Sequence, residues 1–115
     1  MTEPAAIVHV RADLTGVGSG MLRDSSLMSG LLIASAGSAG LNASGAPIVR
    51  ATPAGGISGV LIVDPCHLSV HSFPDRGLAL VDVIAPDASG AAKALDVFVR
   101  RLAPAAVTSD SRQRG

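Results

Sequence analysis

Cys66 is the only cysteine in the chain, and two of the three histidines, His67 and His71, lie close behind it. Ser69 stands between those histidines, and Ser58 precedes them. A thiolate is a strong nucleophile, and an imidazole in reach can take its proton. Cys66 sits at a turn, flanked by Pro65 and His67, which reads as a reactive position rather than as the small buried hydrophobe a lone cysteine usually is. His71 shares a strand face with Ser69 and Phe73 and reads as a site residue. Cys66, His67, His71 and His9 show no CxxC pairing, so no metal is expected. Asp82, alone in an apolar run, is either a structural hydrogen-bonding group or part of the site. Asp75 and Arg76 read as solvated turn residues.

The elements that must position these groups lie in residues 57–84. Three β-branched, apolar runs (59–63, 68–73 and 78–84) are separated by Asp64-Pro65 and by Pro74-Asp-Arg-Gly77, which are turn signals between strands. Period-two geometry turns His67, Ser69, His71 and Phe73 to one face and Leu68 and Val70 to the other. The run 78–84 is apolar on both faces except at Asp82, as in strands covered on both sides. The short connection before it makes an antiparallel hairpin.

Upstream, residues 5–14 alternate as a strand, with Val8, Val10, Ala12 and Leu14 on one face. The loop 15–20 lacks the third glycine of a dinucleotide fingerprint, since that position is Met21, and reads as a flexible connector. Asp24 or Ser25 caps a helix whose apolar positions are Leu27, Met28, Leu31, Leu32 and Ala36, with Gly40 as its stop. Residues 41–46 read as a loop and 47–52 as a short edge strand. Pro86 and Asp87 or Ser89 open a second helix, with Ala91, Ala92, Leu95, Phe98, Val99 and Leu102 as its apolar stripe. The expected organisation is one domain over residues 1–102 and a flexible tail over 103–115.

The chain has 115 residues, with nine Lys and Arg against nine Asp and Glu. A balanced charge gives no field to draw in nucleic acid, and the lack of Trp and Tyr leaves little stacking surface for it. No apolar run reaches the ~20 residues of a membrane span. With one cysteine and no secretory leader at the N-terminus, a cytoplasmic location is expected. The fold class is α+β: a two-layer sandwich of an antiparallel sheet with two helices on one face. Mean hydropathy is +0.46 with 16% charged residues, so apolar surface is left for a partner. Sheet-to-sheet pairing of two copies, giving an αββα homodimer, covers it.

Residues 56–60 (Gly-Ile-Ser-Gly-Val), 65–75 (Pro-Cys-His-Leu-Ser-Val-His-Ser-Phe-Pro-Asp) and 77–87 (Gly-Leu-Ala-Leu-Val-Asp-Val-Ile-Ala-Pro-Asp) resemble the small prokaryotic, pyruvoyl-dependent S-adenosylmethionine decarboxylases of polyamine synthesis. The resemblance covers residues 7–102. It implies a chain that cuts itself, leaving a pyruvoyl ketone that joins the substrate amine and takes up the electrons released with carbon dioxide. By position, Cys66 takes the place of the processing serine, His71 that of the processing histidine and Ser58 that of the assisting serine. Phe73 matches the aromatic expected on the adenine, and Asp75 a carboxylate that reaches the ribose. His67 and Ser69 join them as substrate-binding positions. The sequence departs from the family at Pro65, where the family has glutamate, and at Pro86, where it has a proton-donating cysteine. Residues 50–53 lack the family's aromatic.

Three functions follow. The first is decarboxylation of S-adenosylmethionine or a related amino acid, with a pyruvoyl group made from Cys66. The second is an unprocessed relative, without that cofactor, using Cys66 and His71 in a different small-molecule reaction. The third is a non-catalytic partner that binds a ligand or activates a decarboxylase.

Overall fold

The computed structural model describes residues 6–115. The first positions of the expected N-terminal strand and of the 1–102 domain, and the N-terminal residues on which the expectation about a leader rests, lie outside the described residues.

Strand β1 (Ile7–Thr15) buries Val8, Val10, Ala12 and Leu14 and turns the intervening residues outward, as its alternation requires. A four-residue helix α1 (Ser19–Leu22) and then α2 (Ser25–Ser38) follow. The Asp24 carboxylate caps α2 by accepting from Leu27 N at 3.0 Å. Met28, Leu31, Leu32 and Ala36 are buried, and Gly40 ends the turn with φ +71°. Strands β2 (Asn42–Ala43) and β3 (Ile48–Ala51) both flank β4 (Ile57–Asp64). β4 turns into β5 (His67–Phe73), and a single 3-10 turn over Pro74–Arg76 leads to β6 (Leu78–Ala85). Gly77 closes that turn with φ +59°, a conformation that favours glycine. Helix α3 (Ala88–Leu102) starts on the Asp87 carboxylate, which accepts from Gly90 N at 2.6 Å.

The sheet runs β2-β4-β5-β6-β1-β7, with β3 also on β4, and every pairing is antiparallel. α2 packs over β3, β4 and β5, α3 packs over β1 and β6, and the helices pack on each other. The core lies between the layers, around Phe98, Leu32, Leu61, Leu68 and Val81. This is the expected two-layer α+β sandwich with the helices on one face. No helix among the described residues is long and apolar enough to cross a membrane.

Three expectations change. The tail expected to be flexible contains β7 (Ala106–Arg114), nine residues paired with β1 from end to end. Every one of its side chains is exposed, so no apolar alternation marked it; the backbone ladder to β1 and the Arg11–Asp110 ion pair hold it. The connector at 15–20 is anchored: Val17 is buried and its N–H donates to Gly77 O at 2.9 Å. On α3 the buried alanines are Ala91 and Ala94, while Ala92 is exposed.

The face of the sheet away from the helices has no cover among the described residues. It carries Ile48 and Ile62, each 52% exposed, with half-buried Val60, Leu80 and Ile84.

Candidate functional site

β5 places the predicted residues on that open face. His67 and Ser69 are half-buried and His71 and Phe73 exposed, while Leu68, Val70 and Ser72 point into the core. Register then sets neighbours across strands. Arg50 on β3 faces Ser58 on β4, and Ser58 faces His71 on β5. Ser58 Oγ and His71 Nδ1 share a 2.8 Å hydrogen bond. A hydroxyl bonded to an imidazole can be deprotonated by it, or can hold the ring in one orientation.

Two cavities meet at this pair. One, of about 440 Å³, is lined by Ile48, Arg50, Val60, His67, Ser69 and the Ser58–His71 pair. The other, of about 320 Å³, lies at the Phe73 end of β5 and is lined by Thr52, Gly56, Phe73, Asp75, Arg76 and the same pair. Both fall within the size range of small-molecule sites. The Arg76 guanidinium lies 5.8 Å from the centre of the Phe73 ring, within cation–π range. Asp75 is held by Arg23, whose Nη2 donates to Oδ1 at 3.2 Å.

Buried contacts fix the second cavity's walls. Ser72 Oγ accepts from Ile57 N at 2.8 Å and donates to Leu22 O at 2.6 Å, tying the start of β4 to the end of α1. At Gly56 a side chain has no room, because a Cβ there would collide with the Ser72 carbonyl oxygen. Sequence reasoning missed Arg50, Ser72 and Gly56. Only the strand register reveals Arg50, by setting it opposite Ser58.

Cys66 stands apart. It is half-buried in the turn between β4 and β5, where Val63 N donates to Cys66 O at 3.1 Å. Its φ of +89° lies in the left-handed region that costs a side-chain-bearing residue strain. Cys66 lines a separate recess with Ile7, Ile84 and Arg114. His71 lies five residues along the strand, roughly 15 Å away at the rise of extended chain. Within one chain, therefore, the structure brings Ser58, His71, Phe73, Asp75, His67 and Ser69 to two adjoining cavities and leaves Cys66 outside both. Asp82 accepts from His9 Nε2 at 2.9 Å, on the neighbouring strands of the same face.

The chain is an α+β protein, a helix-backed antiparallel sheet with a serine–histidine pair on its open face. The family model for S-adenosylmethionine decarboxylase matches residues 8–115, and the chain belongs to that family. It is 35% identical over 75 residues to the S-adenosylmethionine decarboxylase proenzyme of Carboxydothermus hydrogenoformans, a match covering 65% of this chain and 58% of that protein. It is 37% identical over 75 residues to S-adenosylmethionine decarboxylase proenzyme 2 of Halalkalibacterium halodurans, with the same coverages. The matched stretch thus spans less than two thirds of either relative. A longer match, 29% identical over 109 residues, covers 94% of this chain and 83% of the Picrophilus torridus proenzyme. The crystal structure of the adenosylmethionine decarboxylase from Aquifex aeolicus superimposes with a TM-score of 0.89 at 28% identity, over 98% of this chain and 93% of that one.

Proposed function

We propose that this protein is a pyruvoyl-type decarboxylase of S-adenosylmethionine or a related amino acid, made by self-cleavage at the Pro65–Cys66 bond and working as a face-to-face homodimer. The observation that carries the reading is the Ser58–His71 hydrogen bond, 2.8 Å long and set where two cavities meet on the uncovered sheet. It joins the two residues that align with the family's assisting serine and processing histidine.

Cys66 fits as the source of the group. Its sulfur is next in sequence to the Pro65 carbonyl, at a hairpin apex whose left-handed backbone favours release of the bond. Sγ adds to that carbonyl carbon, the C–N bond breaks with its nitrogen taking a proton, and a thioester forms. Loss of the Cys66 Cα proton then breaks Cβ–Sγ and expels a thiocarboxylate. Water replaces the exposed nitrogen, which leaves as ammonia. Once formed, the ketone supplies an electron sink for a substrate amine's carboxylate. Phe73 and Asp75 border the space for the remainder of the substrate, and Ser58 and His71 hold or move a proton beside it.

Pairing supplies the imidazole that Cys66 lacks in its own chain. A twofold axis between the sheets, crossing β5 at right angles, reverses the strand and lays the Cys66 end of one copy over the His71 end of the other. The apolar residues Ile48, Ile62 and Ile84 of the open face give that pairing its driving force.

Intact-mass analysis of the purified protein tests the reading. The expected result is one fragment ending at Pro65 and a second, beginning at residue 66, that reacts with phenylhydrazine. His71→Ala is expected to slow cleavage about 10²–10⁴-fold, the usual worth of a positioned acid or base. An uncut chain that releases no carbon dioxide from carboxyl-labelled S-adenosylmethionine refutes the reading. It would favour the unprocessed ligand-binding relative instead, which Pro86 at the donor position and the separation of Cys66 from His71 also support.

A further inference from the structure

Arg23 lines neither cavity, yet it is braced against two of the turns that wall the smaller one. It follows directly on α1, where its N–H donates to Ser19 O at 3.2 Å and its neighbour Leu22 is tied to β5 through Ser72. On one side its guanidinium lies against the turn between β3 and β4. Gly55 has φ +85° there, and a Cβ on it would collide with Arg23 Nη1. On the other side Nη2 donates to Asp75 Oδ1 at 3.2 Å, in the turn between β5 and β6. Ala54 and Gly56, which flank the first contact, and Asp75 at the second all line the cavity of about 320 Å³.

The pair is poorly placed to hold the fold together. The Asp75 side chain is 83% exposed and that of Arg23 46%, and surface pairs of this kind contribute little to stability. What the contact fixes is direction. Asp75 sits on a single 3-10 turn, and with Oδ1 engaged its Oδ2 is left as an acceptor that has no partner among the described residues. The guanidinium also offsets the carboxylate's charge, so the remaining oxygen suits a neutral hydroxyl better than a cation.

We infer that Arg23 is a positioning residue, turning Asp75 so that its free oxygen accepts from the vicinal hydroxyls of a sugar carried by the ligand. Gly55 gives the guanidinium the room to do so. The inference rests on the proposed reading that the Ser58–His71 cavities are the substrate site, and it adds how the hydroxyl-bearing part of the substrate is held.

Isothermal titration of the purified full-length protein with adenosine and with 2′,3′-dideoxyadenosine tests it, because the two differ only in those hydroxyls. The parent is expected to bind adenosine about tenfold tighter, roughly the worth of one hydrogen bond to a charged acceptor. Asp75→Ala and Arg23→Ala are each expected to bring the two affinities together, and the double variant to do no more than either. Arg23→Lys is expected to restore most of the difference. Thermal midpoints of the Arg23 variants are expected to stay within about 4 °C of the parent, since the pair is exposed. Discrimination kept in Arg23→Ala overturns the inference. So does an equal weakening of both nucleosides, which is what a merely structural role would give, and so does failure of adenosine to bind the parent. Chain cleavage and carbon dioxide release from carboxyl-labelled S-adenosylmethionine, with discrimination independent of Arg23, overturn the inference and leave the decarboxylase reading standing. Arg23-dependent discrimination in a chain that is neither cut nor releases carbon dioxide supports the inference and overturns the decarboxylase reading instead.

Discussion

Replacing Ser72 by alanine tests how the site is held together. The side chain is 4% exposed and its hydroxyl serves two buried backbone groups, accepting from Ile57 N at 2.8 Å and donating to Leu22 O at 2.6 Å. Ile57 is 2% exposed and Leu22 fully buried, so water does not replace the lost oxygen. One stranded buried polar group costs about 1–3 kcal/mol, and two that share a partner put the total at about 2–4 kcal/mol. An unfolding entropy of about 2.1 cal/mol/K per residue makes each kcal/mol worth about 4 °C in a chain of this length, so Tm falls by about 8–16 °C. Calorimetry at fixed protomer concentration reads this, because the proposed pairing would make Tm depend on concentration. Ser69→Ala, on the open face, is the control and stays within about 0.5 kcal/mol of the parent. A Ser72→Ala loss no larger than that of the control would refute the reasoning.

Gly56→Ala places a methyl group against the Ser72 carbonyl oxygen and is expected to destabilise by about 2 kcal/mol or more, read from urea unfolding midpoints. Ile62→Asp puts a charge among the exposed apolar residues of the open face and, if the proposed pairing holds, is expected to halve the mass seen by sedimentation equilibrium while leaving the circular dichroism spectrum intact. The Arg11 guanidinium, through its hydrogen bonds, holds the Asp110 carboxyl below its ordinary range. A depressed acid stabilises the fold at neutral pH and loses that contribution as pH falls through the lowered value. Arg11→Gln is therefore expected to raise the Asp110 titration midpoint followed by carbon-detected NMR.

Much of this arrangement was legible because strands and capped helices leave periodic marks. Parity alone sorted His67, Ser69, His71 and Phe73 from Leu68 and Val70, and the structure keeps that division. Asp24 or Ser25, and Asp87 or Ser89, marked the starts of both long helices, and in each pair the carboxylate is the cap. β7 left no mark, since an edge strand exposed on both faces has no apolar alternation to read. The nearness of Cys66 and His71 in sequence suggested nearness in space. Extended chain rises about 3.3 Å per residue, so five residues put most of a strand's length between the thiol and the imidazole rather than a contact. Arg50 was invisible for the opposite reason: its partners, Ser58 and His71, are remote in sequence and meet it only through register.

The sheet order carries a consequence for a severed chain. A cut after Pro65 leaves β1, β2, β3 and β4 on one piece and β5, β6 and β7 on the other. In the sheet, β1 is clasped between β6 and β7, and β4 lies against β5. Helix α2 of the first piece also packs on α3 of the second. The two pieces are woven like the fingers of clasped hands, so breaking the backbone there frees new termini without freeing either half.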